Sequence, residues 1–338
     1  MTSQIKPIHE SGFQPAHLVD VLRWRAINQP DRLAYTFLTD GETEEARLTY
    51  QQLDQRSRAI AAWLQSVSKP GERVLILYPP GLDYLAGFFG CLYAGVVAVP
   101  IYPPRRNRNM ERIVTIAESA QPTVLLTTGP TFPVVQSFCD EHERLRSVRC
   151  VDTGSLVNET NDGWREPNIN QSTLAFLQYT SGSTGSPKGV MLSHGNLLHN
   201  STLLREAFEY DSNSHCVSWL PIYHDMGLIG GVLQPLFGGY PCTLMAPASF
   251  LRSPVSWLKT ISRNKGVISG GPNFAYRLCV DKISPEDRAE LDLSGWSVAF
   301  NGAEPIHHDT LKQLPPRLSR TVFDRKLSTH VTGLRSRL

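Results

Sequence analysis

The residues best suited to chemistry lie in one short stretch, 179–189. It reads Tyr-Thr-Ser-Gly-Ser-Thr-Gly-Ser-Pro-Lys-Gly, with five serine and threonine hydroxyls, three glycines and one lysine. Backbone amides, hydroxyls and a cation are the groups that polyphosphate oxygens require. Ser-Pro separates Gly185 from Lys188, unlike a Walker A loop, and the chain contains no Gly-x-Ser-x-Gly elbow of a serine hydrolase. The stretch predicts a phosphate-binding loop; the alternative, a flexible linker, is disfavoured by the apolar segments on both sides.

Two further loops carry polar or small residues. The segment 220–228 places His224 beside Asp225. Because adjacent loop residues seldom face each other, an acid–base pair is not expected, and the sequence leaves open whether His224 contacts a ligand or packs in the core. The segment 300–305 reads Phe-Asn-Gly-Ala-Glu-Pro, in which Gly302 and Ala303 leave room for a flat ring to lie against the backbone.

The elements that must position these loops alternate between strand and helix after about residue 48, which is typical of a parallel α/β sheet. In such sheets ligands bind beyond the carboxyl ends of the strands, so the loops after strands are where chemistry is expected. The predicted strands are 73–78, 96–100, 123–127, 174–179, 216–220, 243–246, 267–269 and 298–300, and the better-defined helices are 50–65, 83–94 and 111–120.

Composition indicates an ordinary globular protein. A hydrophobic content of 41% in 338 residues can fill the cores of about two domains. The formal net charge of +2 is too small to imply a nucleic-acid partner. The six cysteines show no Cys-x-x-Cys pair and no zinc spacing, and the first residues show no secretory signal. We therefore expect reduced core thiols and a cytoplasmic location.

One uncharged segment, 84–104, is long enough to cross a bilayer. Its glycines and its prolines at 100, 103 and 104 instead predict a buried helix that ends near Ala94 and runs into a buried strand. No membrane span is expected.

Three regions are predicted along the chain. Residues 1–160 form a first α/β subdomain, and residues 161–313 form a second one that carries the phosphate loop and the 300–305 loop. The boundary is placed in the polar stretch 152–171, which has no periodicity. Residues 314–338 form a compositionally distinct tail, since 317–338 hold five Arg and one Lys against one Asp.

In their order and spacing the three loops resemble those of the adenylate-forming ligases, which include acyl-CoA synthetases, luciferases and peptide-synthetase adenylation domains. Within that superfamily the chain is most similar to the fatty acyl-AMP ligases, from about residue 15 to residue 313. The segments that carry the resemblance are 78–83 (Tyr-Pro-Pro-Gly-Leu-Asp), 90–100 (Gly-Cys-Leu-Tyr-Ala-Gly-Val-Val-Ala-Val-Pro), 223–231 (Tyr-His-Asp-Met-Gly-Leu-Ile-Gly-Gly), 271–276 (Gly-Pro-Asn-Phe-Ala-Tyr) and 301–306 (Asn-Gly-Ala-Glu-Pro-Ile).

The resemblance implies a fold and a reaction. The fold is the large N-terminal domain of the superfamily, an α/β fold with two mostly parallel sheets flanked by helices, truncated before the C-terminal domain. In the reaction a fatty carboxylate attacks the α-phosphorus of ATP, Mg²⁺ neutralises the phosphates, and pyrophosphate leaves to give an acyl adenylate. The acyl group then passes to the phosphopantetheine thiol of an acyl carrier protein. ATP and Mg²⁺ are thus the implied cofactors, and a fatty acid and an acyl carrier protein are the implied partners.

Site residues carry over from the resemblance by motif, and no metal ligand is assigned among them. His224 is the catalytic candidate, near the acyl carboxylate. The implied adenine-binding residues are Gly302, Ala303 and Glu304. The implied phosphate-binding residues are Thr180, Ser181, Gly182, Ser183, Thr184, Gly185, Lys188 and Gly189. The implied acyl-tunnel residues, for which ordinary core packing is the alternative, are Met226, Gly227, Ile229, Asn273 and Phe274.

The tail departs from the family pattern. There the family continues into a Tyr-Gly-Leu-Ala-Glu run, whose aromatic ring stacks on adenine and whose Glu binds Mg²⁺, and residues 314–338 lack it. Reading the third base of each codon with the first two of the next across 331–336 permits that run. The sequence therefore predicts a one-base frameshift between about 314 and 321, and little ligase activity from this chain alone. Resequencing the encoding DNA beyond the codon for Leu338 tests this expectation.

Two other readings of the sequence stay open. The chain is alternatively a fragment of an acyl-CoA synthetase or of an amino-acid adenylation domain, which an exchange of the acceptor between CoA and a carrier protein would distinguish. It is alternatively a nucleotide-binding module without catalysis. ATP affinity that is lost in Lys188→Ala, with no adenylate formed, would favour that module.

Overall fold

The computed structural model describes residues 12–42, 44–104, 110–156, 163–180, 187–265 and 267–312. Within these ranges strands alternate with helices. The strands are β1 (Leu33–Leu38), β2 (Glu44–Thr49), β3 (Arg73–Ile76), β4 (Val97–Pro100), β5 (Val124–Thr127), β6 (Arg149–Asp152), β7 (Leu174–Thr180), β8 (Lys188–Ser193), β9 (His215–Ser218), β10 (Cys242–Met245), β11 (Val267–Gly271) and β12 (Trp296–Asn301). The α-helices are α1 (Leu18–Asn28), α2 (Tyr50–Val67), α3 (Leu82–Ala94), α4 (Met110–Ala120), α5 (Phe132–Glu141), α6 (His194–Phe208), α7 (Gln234–Gly238), α8 (Pro247–Arg252), α9 (Pro254–Ser262), α10 (Asn273–Lys282), α11 (Pro285–Ala289) and α12 (His308–Lys312). A 3₁₀ turn spans Gly129–Thr131, and a π-helix spans Met226–Leu233.

The chain divides into two compact units. The first unit contains residues 1–32 and 48–200, and the second contains 33–47 and 201–338. Each unit is organised around its own six-stranded sheet.

The sheet of the first unit has the order β6-β5-β3-β4-β7-β8. Neighbouring strands run parallel from β6 to β7, and only the β7–β8 pair is antiparallel. Side chains of β3, β4 and β5, such as Leu75, Val99 and Leu125, pack against Ile113 of α4 and Phe138 of α5. Strands that are apolar on both faces are typical of parallel sheets covered by helices.

Helix α3 lies in the interior of the first unit. Nearly every residue from Leu82 to Ala94 is buried, and Gly95 ends the helix in the left-handed conformation with φ 72°. Strand β4 follows after Val96, so the uncharged segment is a buried helix that leads into a buried strand, as predicted. Among the helices in the described ranges, none combines the length and the apolar character needed to cross a bilayer.

The sheet of the second unit has the order β12-β11-β9-β10-β1-β2, and the pairs from β12 to β1 are parallel. Its core is aromatic. Trp257 contacts the rings of Trp219, Phe250, Tyr276 and Trp296 at centroid distances between 5.3 and 6.0 Å. The indole of Trp257 also donates to Ser269 Oγ at 2.8 Å, which satisfies its polar atom in the interior.

The predicted fold class, with two mostly parallel sheets flanked by helices, is confirmed, and the predicted strands and helices agree with the observed ones to within two residues at most ends. Sequence reasoning missed α1, α5, β1, β2, β6 and β8. The six cysteines all lie in the described ranges as free thiols, and all but Cys150 are buried.

The units differ from the predicted subdomains. The predicted boundary near residue 160 lies inside the first unit, which extends to residue 200. The physical reason is strand pairing: β7 joins the first sheet next to β4, with Ala98 opposite Phe176, and carries β8 with it. The polar stretch before β7 is therefore a connection within one unit. The predicted tail, 314–338, lies outside the described residues.

A buried histidine predicts how the stability of the first unit depends on pH. His194 Nδ1 accepts a hydrogen bond from Leu18 N at 3.3 Å, and the side chain is buried. Burial, together with the nearby His17, lowers the pKa of His194 from 6.5 to about 3. The unfolded chain gains a proton on this residue as the pH falls below 6.5, but the folded chain does not, so folding stability decreases.

We expect acidification from pH 7 to pH 5 to lower the free energy of unfolding by about 2 kcal/mol through His194. Urea denaturation at both pH values measures the loss. In His194→Gln the loss of unfolding free energy between pH 7 and pH 5 should be smaller by about 2 kcal/mol. In His199→Gln, at an exposed position of the same helix, the full loss should remain. An equal pH dependence in the wild-type chain and in His194→Gln would contradict this assignment.

Candidate functional site

In the second unit three strand ends lie side by side. Strands β9, β11 and β12 are parallel neighbours, so their carboxyl ends share one edge of the sheet. The loop that leads to His224 follows β9, Asn273 and Phe274 follow β11, and the predicted adenine loop, 302–304, follows β12. This is the edge at which open α/β sheets bind their ligands. Nine of the predicted site residues lie in this unit: His224, Met226, Gly227, Ile229, Asn273, Phe274, Gly302, Ala303 and Glu304.

His224 and Asp225 contact each other. His224 Nδ1 lies 2.7 Å from Asp225 Oδ1, and about half of each side chain is exposed. The expectation that these neighbours would not face each other is wrong because Asp225 has helical backbone angles at the start of the π-helix, where its carboxylate accepts from Met226 N at 2.7 Å. His224 Nδ1 also lies 3.4 Å from Met226 N, so Nδ1 is engaged by Asp225 and the start of the π-helix, and Nε2 is left for a ligand.

Gly227 makes the approach of this helix to the preceding loop possible. A Cβ atom built on Gly227 would lie 2.1 Å from the carbonyl oxygen of Pro221. Real Cβ atoms do not come that close to a carbonyl oxygen, so the helix start and the His224 loop pack together only with glycine at this position. Met226, one residue earlier, packs against the aromatic core of the unit. Ile229 is buried.

A hydrogen bond joins the predicted adenine loop to the segment after β11. Glu304 Oε1 accepts from the backbone amide of Phe274 at 2.5 Å. Asn273 Oδ1 accepts from His307 N at 3.1 Å, and its Nδ2 lies 3.5 Å from Thr310 Oγ1, so the Asn273 amide is engaged inside the protein. Gly302 is buried, and Ala303 has a positive φ of 70°, which turns the chain sharply after β12.

Phe274 lies at the surface of this edge. Its side chain is 43% exposed, and its ring contacts Trp219 edge-on at 5.9 Å. Large aromatic side chains that stay exposed beside a buried cluster are typical of binding surfaces. The structure therefore brings Phe274 and Glu304 together through a direct hydrogen bond, and it places the ring of Trp219 against that of Phe274.

Two residues of this edge were missed by sequence reasoning. The side-chain amide of Asn301 and the indole nitrogen of Trp219 are buried, and none of these polar atoms has a hydrogen-bond partner among the described residues. Asn301 opens a motif that the sequence had already singled out, so its position was a usable signal. No such signal exists for Trp219, because the contact of its ring with Gly271 of β11 depends on tertiary packing.

In the first unit the predicted phosphate loop connects β7 and β8. These strands form an antiparallel hairpin in which Thr180 is the register partner of Lys188, and Tyr179 that of Gly189. Thr180, Lys188 and Gly189 are exposed at the open end of this pair. Ser181, Gly182, Ser183, Thr184 and Gly185 lie outside the described residues. The tyrosine that precedes the loop is anchored, since its hydroxyl donates to Ser119 Oγ at 2.8 Å.

The sequence matches the AMP-binding enzyme family over residues 22–324, which is most of its length. The chain belongs to the AMP-binding enzyme family. Among the relatives of this family member is the medium-chain-fatty-acid–acyl-carrier-protein ligase of Moorena producens, with 44% identity over 87% of this chain and 50% of the relative. A long-chain-fatty-acid–AMP ligase of Mycolicibacterium smegmatis is 38% identical over 87% of this chain and 48% of the relative.

Two solved structures of ligases from Legionella pneumophila are similar to this chain in fold and in sequence. A fatty acid AMP ligase from Legionella pneumophila superposes with a TM-score of 0.85 and 43% identity, covering 92% of this chain and 53% of that one. A fatty acyl-adenylate ligase of L. pneumophila, solved with acyl adenylate and pyrophosphate, gives a TM-score of 0.82 at 42% identity, covering 92% of this chain and 54% of that one. The predicted resemblance is thus confirmed at the level of the family and the fold. The chain spans about half the length of the curated relatives it matches.

Proposed function

We propose that this chain carries the ATP-binding and fatty-acid-binding region of a fatty acyl-AMP ligase. The observation that carries the proposal is the hydrogen bond from Phe274 N to Glu304 Oε1, which joins the predicted adenine loop to the predicted acyl segment at one sheet edge. An enzyme that makes an acyl adenylate must hold the base and the acyl group within one site, at the two ends of the ribose phosphate that links them. The names of the relatives, which are fatty-acid ligases, support the same substrate class.

The base and the acyl chain are assigned to the edge of the second unit. The backbone of Gly302 and Ala303, with Glu304, would line the adenine. Phe274, Met226, Gly227 and Ile229 would line the acyl chain, because they are apolar or lack a side chain and lie in the helices that follow β9 and β11. Asn273 would hold Phe274 in place, since its own amide is engaged with residues 307 and 310.

His224 is assigned to the acyl carboxylate. Asp225 holds the ring through Nδ1, so Nε2 would face the reacting groups. A ring held in one orientation by a carboxylate loses little conformational freedom when it contacts substrate. The carboxylate oxygen would attack the α-phosphorus of ATP, the bond from that phosphorus to the bridging oxygen would break, and pyrophosphate would leave.

The phosphates are assigned to the loop 180–189 of the first unit. Lys188 would supply the cation, and Thr180, Ser181, Gly182, Ser183, Thr184, Gly185 and Gly189 would supply hydroxyls and amides. A hairpin that ends in a glycine-rich and serine-rich loop offers several donors to one anion. Positioning and charge neutralisation are the main contributions that a protein makes to such a displacement.

Mg²⁺ is assigned to the ATP phosphates. In the described ranges no group of three or more His, Cys, Asp or Glu side chains could hold a metal ion. The ion, when bound with ATP, would neutralise phosphate charge.

The acceptor of the acyl group is proposed to be the phosphopantetheine thiol of an acyl carrier protein, by analogy with the Moorena ligase. A cytoplasmic location is proposed from the cysteine spacing of the sequence, which shows no paired pattern.

A series of sulfamoyl adenosines, which mimic the acyl adenylate, tests the proposal. We expect the dodecanoyl compound to bind the chain more tightly than the acetyl compound by roughly 100-fold or more, because each methylene buried in an apolar tunnel contributes about 0.8 kcal/mol. Isothermal titration calorimetry measures both affinities. Equal affinities would contradict a fatty-acyl site, and failure of both to bind would contradict the adenylate site itself.

A further inference from the structure

Unpartnered polar atoms mark one place at the carboxyl edge of the second sheet. Both amide atoms of Asn301, Oδ1 and Nδ2, are buried and have no hydrogen-bond partner among the described residues, and the same is true of Trp219 Nε1. Buried polar groups in proteins are normally hydrogen-bonded, because removing them from water without a partner is unfavourable. An amide left with two open positions at a ligand-binding edge therefore calls for a partner that the chain itself does not supply.

The backbone places Asn301 beside Trp219. Asn301 is the last residue of β12 and the register partner of Gly271, the last residue of β11. Register partners on neighbouring parallel strands point to the same face of the sheet. A Cβ atom on Gly271 would lie 2.6 Å from Cζ2 of Trp219, so the indole ring covers that same face. The Asn301 amide and the Trp219 ring thus lie side by side, immediately before the loop 302–304.

We propose that Asn301 recognises the purine base of the nucleotide, with its amide oxygen accepting from the N6 amine and its amide nitrogen donating to N7 of adenine. This inference rests on the proposed function and adds a residue that forms hydrogen bonds with the edge of the adenine base. An asparagine amide presents one acceptor and one donor side by side, and the N6/N7 edge of adenine presents the complementary pair.

The same geometry disfavours other occupants. Guanine presents two acceptors at this edge, O6 and N7, so it would face the acceptor oxygen of the amide with a second acceptor. A fatty carboxylate also presents acceptors only and would leave Asn301 Oδ1 without a partner. Adenine is the ligand of the proposed reaction that satisfies both atoms of the amide.

Nucleotide analogues test the proposal on the unmodified 338-residue chain. Purine riboside triphosphate lacks the N6 amine, 7-deaza-ATP lacks the N7 acceptor, and GTP reverses the polarity at position 6. Isothermal titration calorimetry should show each analogue binding more weakly than ATP, by roughly 5-fold to 100-fold. Because no residue is changed, this arm does not depend on whether a variant folds.

Variants then assign the effect to Asn301. Asn301→Ala should bind ATP and 7-deaza-ATP with equal affinity, and Asn301→Asp, which cannot donate to N7, should lose ATP affinity but discriminate less between ATP and 7-deaza-ATP. Asn213→Ala, at an exposed loop position of the same unit, should retain the wild-type pattern. Thermal unfolding of each variant verifies that it is folded.

Two results would overturn the inference in different ways. If the wild-type chain binds ATP but does not distinguish it from 7-deaza-ATP and purine riboside triphosphate, Asn301 does not read the base and the proposed function is unaffected. If the wild-type chain binds no nucleotide, the proposed function fails and this inference fails with it. Discrimination that persists in Asn301→Ala would assign the reading of the base to another residue.

Discussion

Gly227→Ala is expected to lower the free energy of unfolding of the second unit by about 3 kcal/mol, the upper end of the usual cost of overpacking. The added methyl group would lie 2.1 Å from the carbonyl oxygen of Pro221, which is a backbone atom and cannot rotate away. The π-helix and the His224 loop would have to separate. Urea denaturation followed by tryptophan fluorescence measures the change, because Trp219, Trp257 and Trp296 lie in the core of this unit.

Gly230→Ala is the matched control. It lies in the same π-helix, but no atom lies within 4 Å of the Cβ that the substitution would add. Since alanine also has the better helix propensity, we expect stability between unchanged and about 1 kcal/mol higher. If Gly227→Ala and Gly230→Ala had equal stability, the close approach of the helix to the loop would not be the reason for glycine at 227.

Lys188→Ala is expected to weaken ATP binding by roughly 10-fold to 100-fold, because hydrogen bonds to charged groups contribute about 1.5–3 kcal/mol. Lys188 is exposed at the start of β8, directly after the phosphate loop, and so is placed to meet an anion from solvent. Calorimetric titration with ATP measures the change. The loss should be larger for ATP than for adenosine, which has no phosphate.

Lys69→Ala, at an exposed position elsewhere in the first unit, is the control for the charge removed. It should leave ATP affinity unchanged. An equal loss of ATP affinity in the two variants would mean that binding depends on the overall charge of the unit. An unchanged ATP affinity in Lys188→Ala would show that Lys188 does not contact the phosphates.

Local patterns were sufficient for much of the fold. Helix α2 begins at Tyr50 as predicted because Thr49 and Gln52 form a capping box, a signal that is present in the sequence. The apolar runs of β3, β4 and β5 predicted these strands because both faces of a covered parallel sheet are buried. Strand β8 was missed because its apolar run is short, and in the structure Leu192 is the one buried residue among the six of the strand.

The site was less predictable because its geometry depends on contacts between distant segments. The loops after the strands identified where chemistry would occur, and residues 224, 274 and 304 do lie on one sheet edge. The contact between His224 and Asp225 depends on the turn into a π-helix, for which the sequence carried no recognised signal. The open amide of Asn301 depends on register with β11, and its neighbour Trp219 is separated from it by eighty-two positions. Tertiary pairing of this kind is not encoded in local periodicity.

Photo-cross-linking shows whether one edge of the second sheet holds both parts of a fatty acyl adenylate. The probe is a dodecanoyl sulfamoyl adenosine with a diazirine in its acyl chain, and mass spectrometry of the labelled peptides locates the cross-links. We expect labels within residues 219–229 and 272–276, and we expect them to disappear when unlabelled dodecanoyl sulfamoyl adenosine is in excess. Labels elsewhere in the chain, or labels that the competitor does not remove, would contradict it.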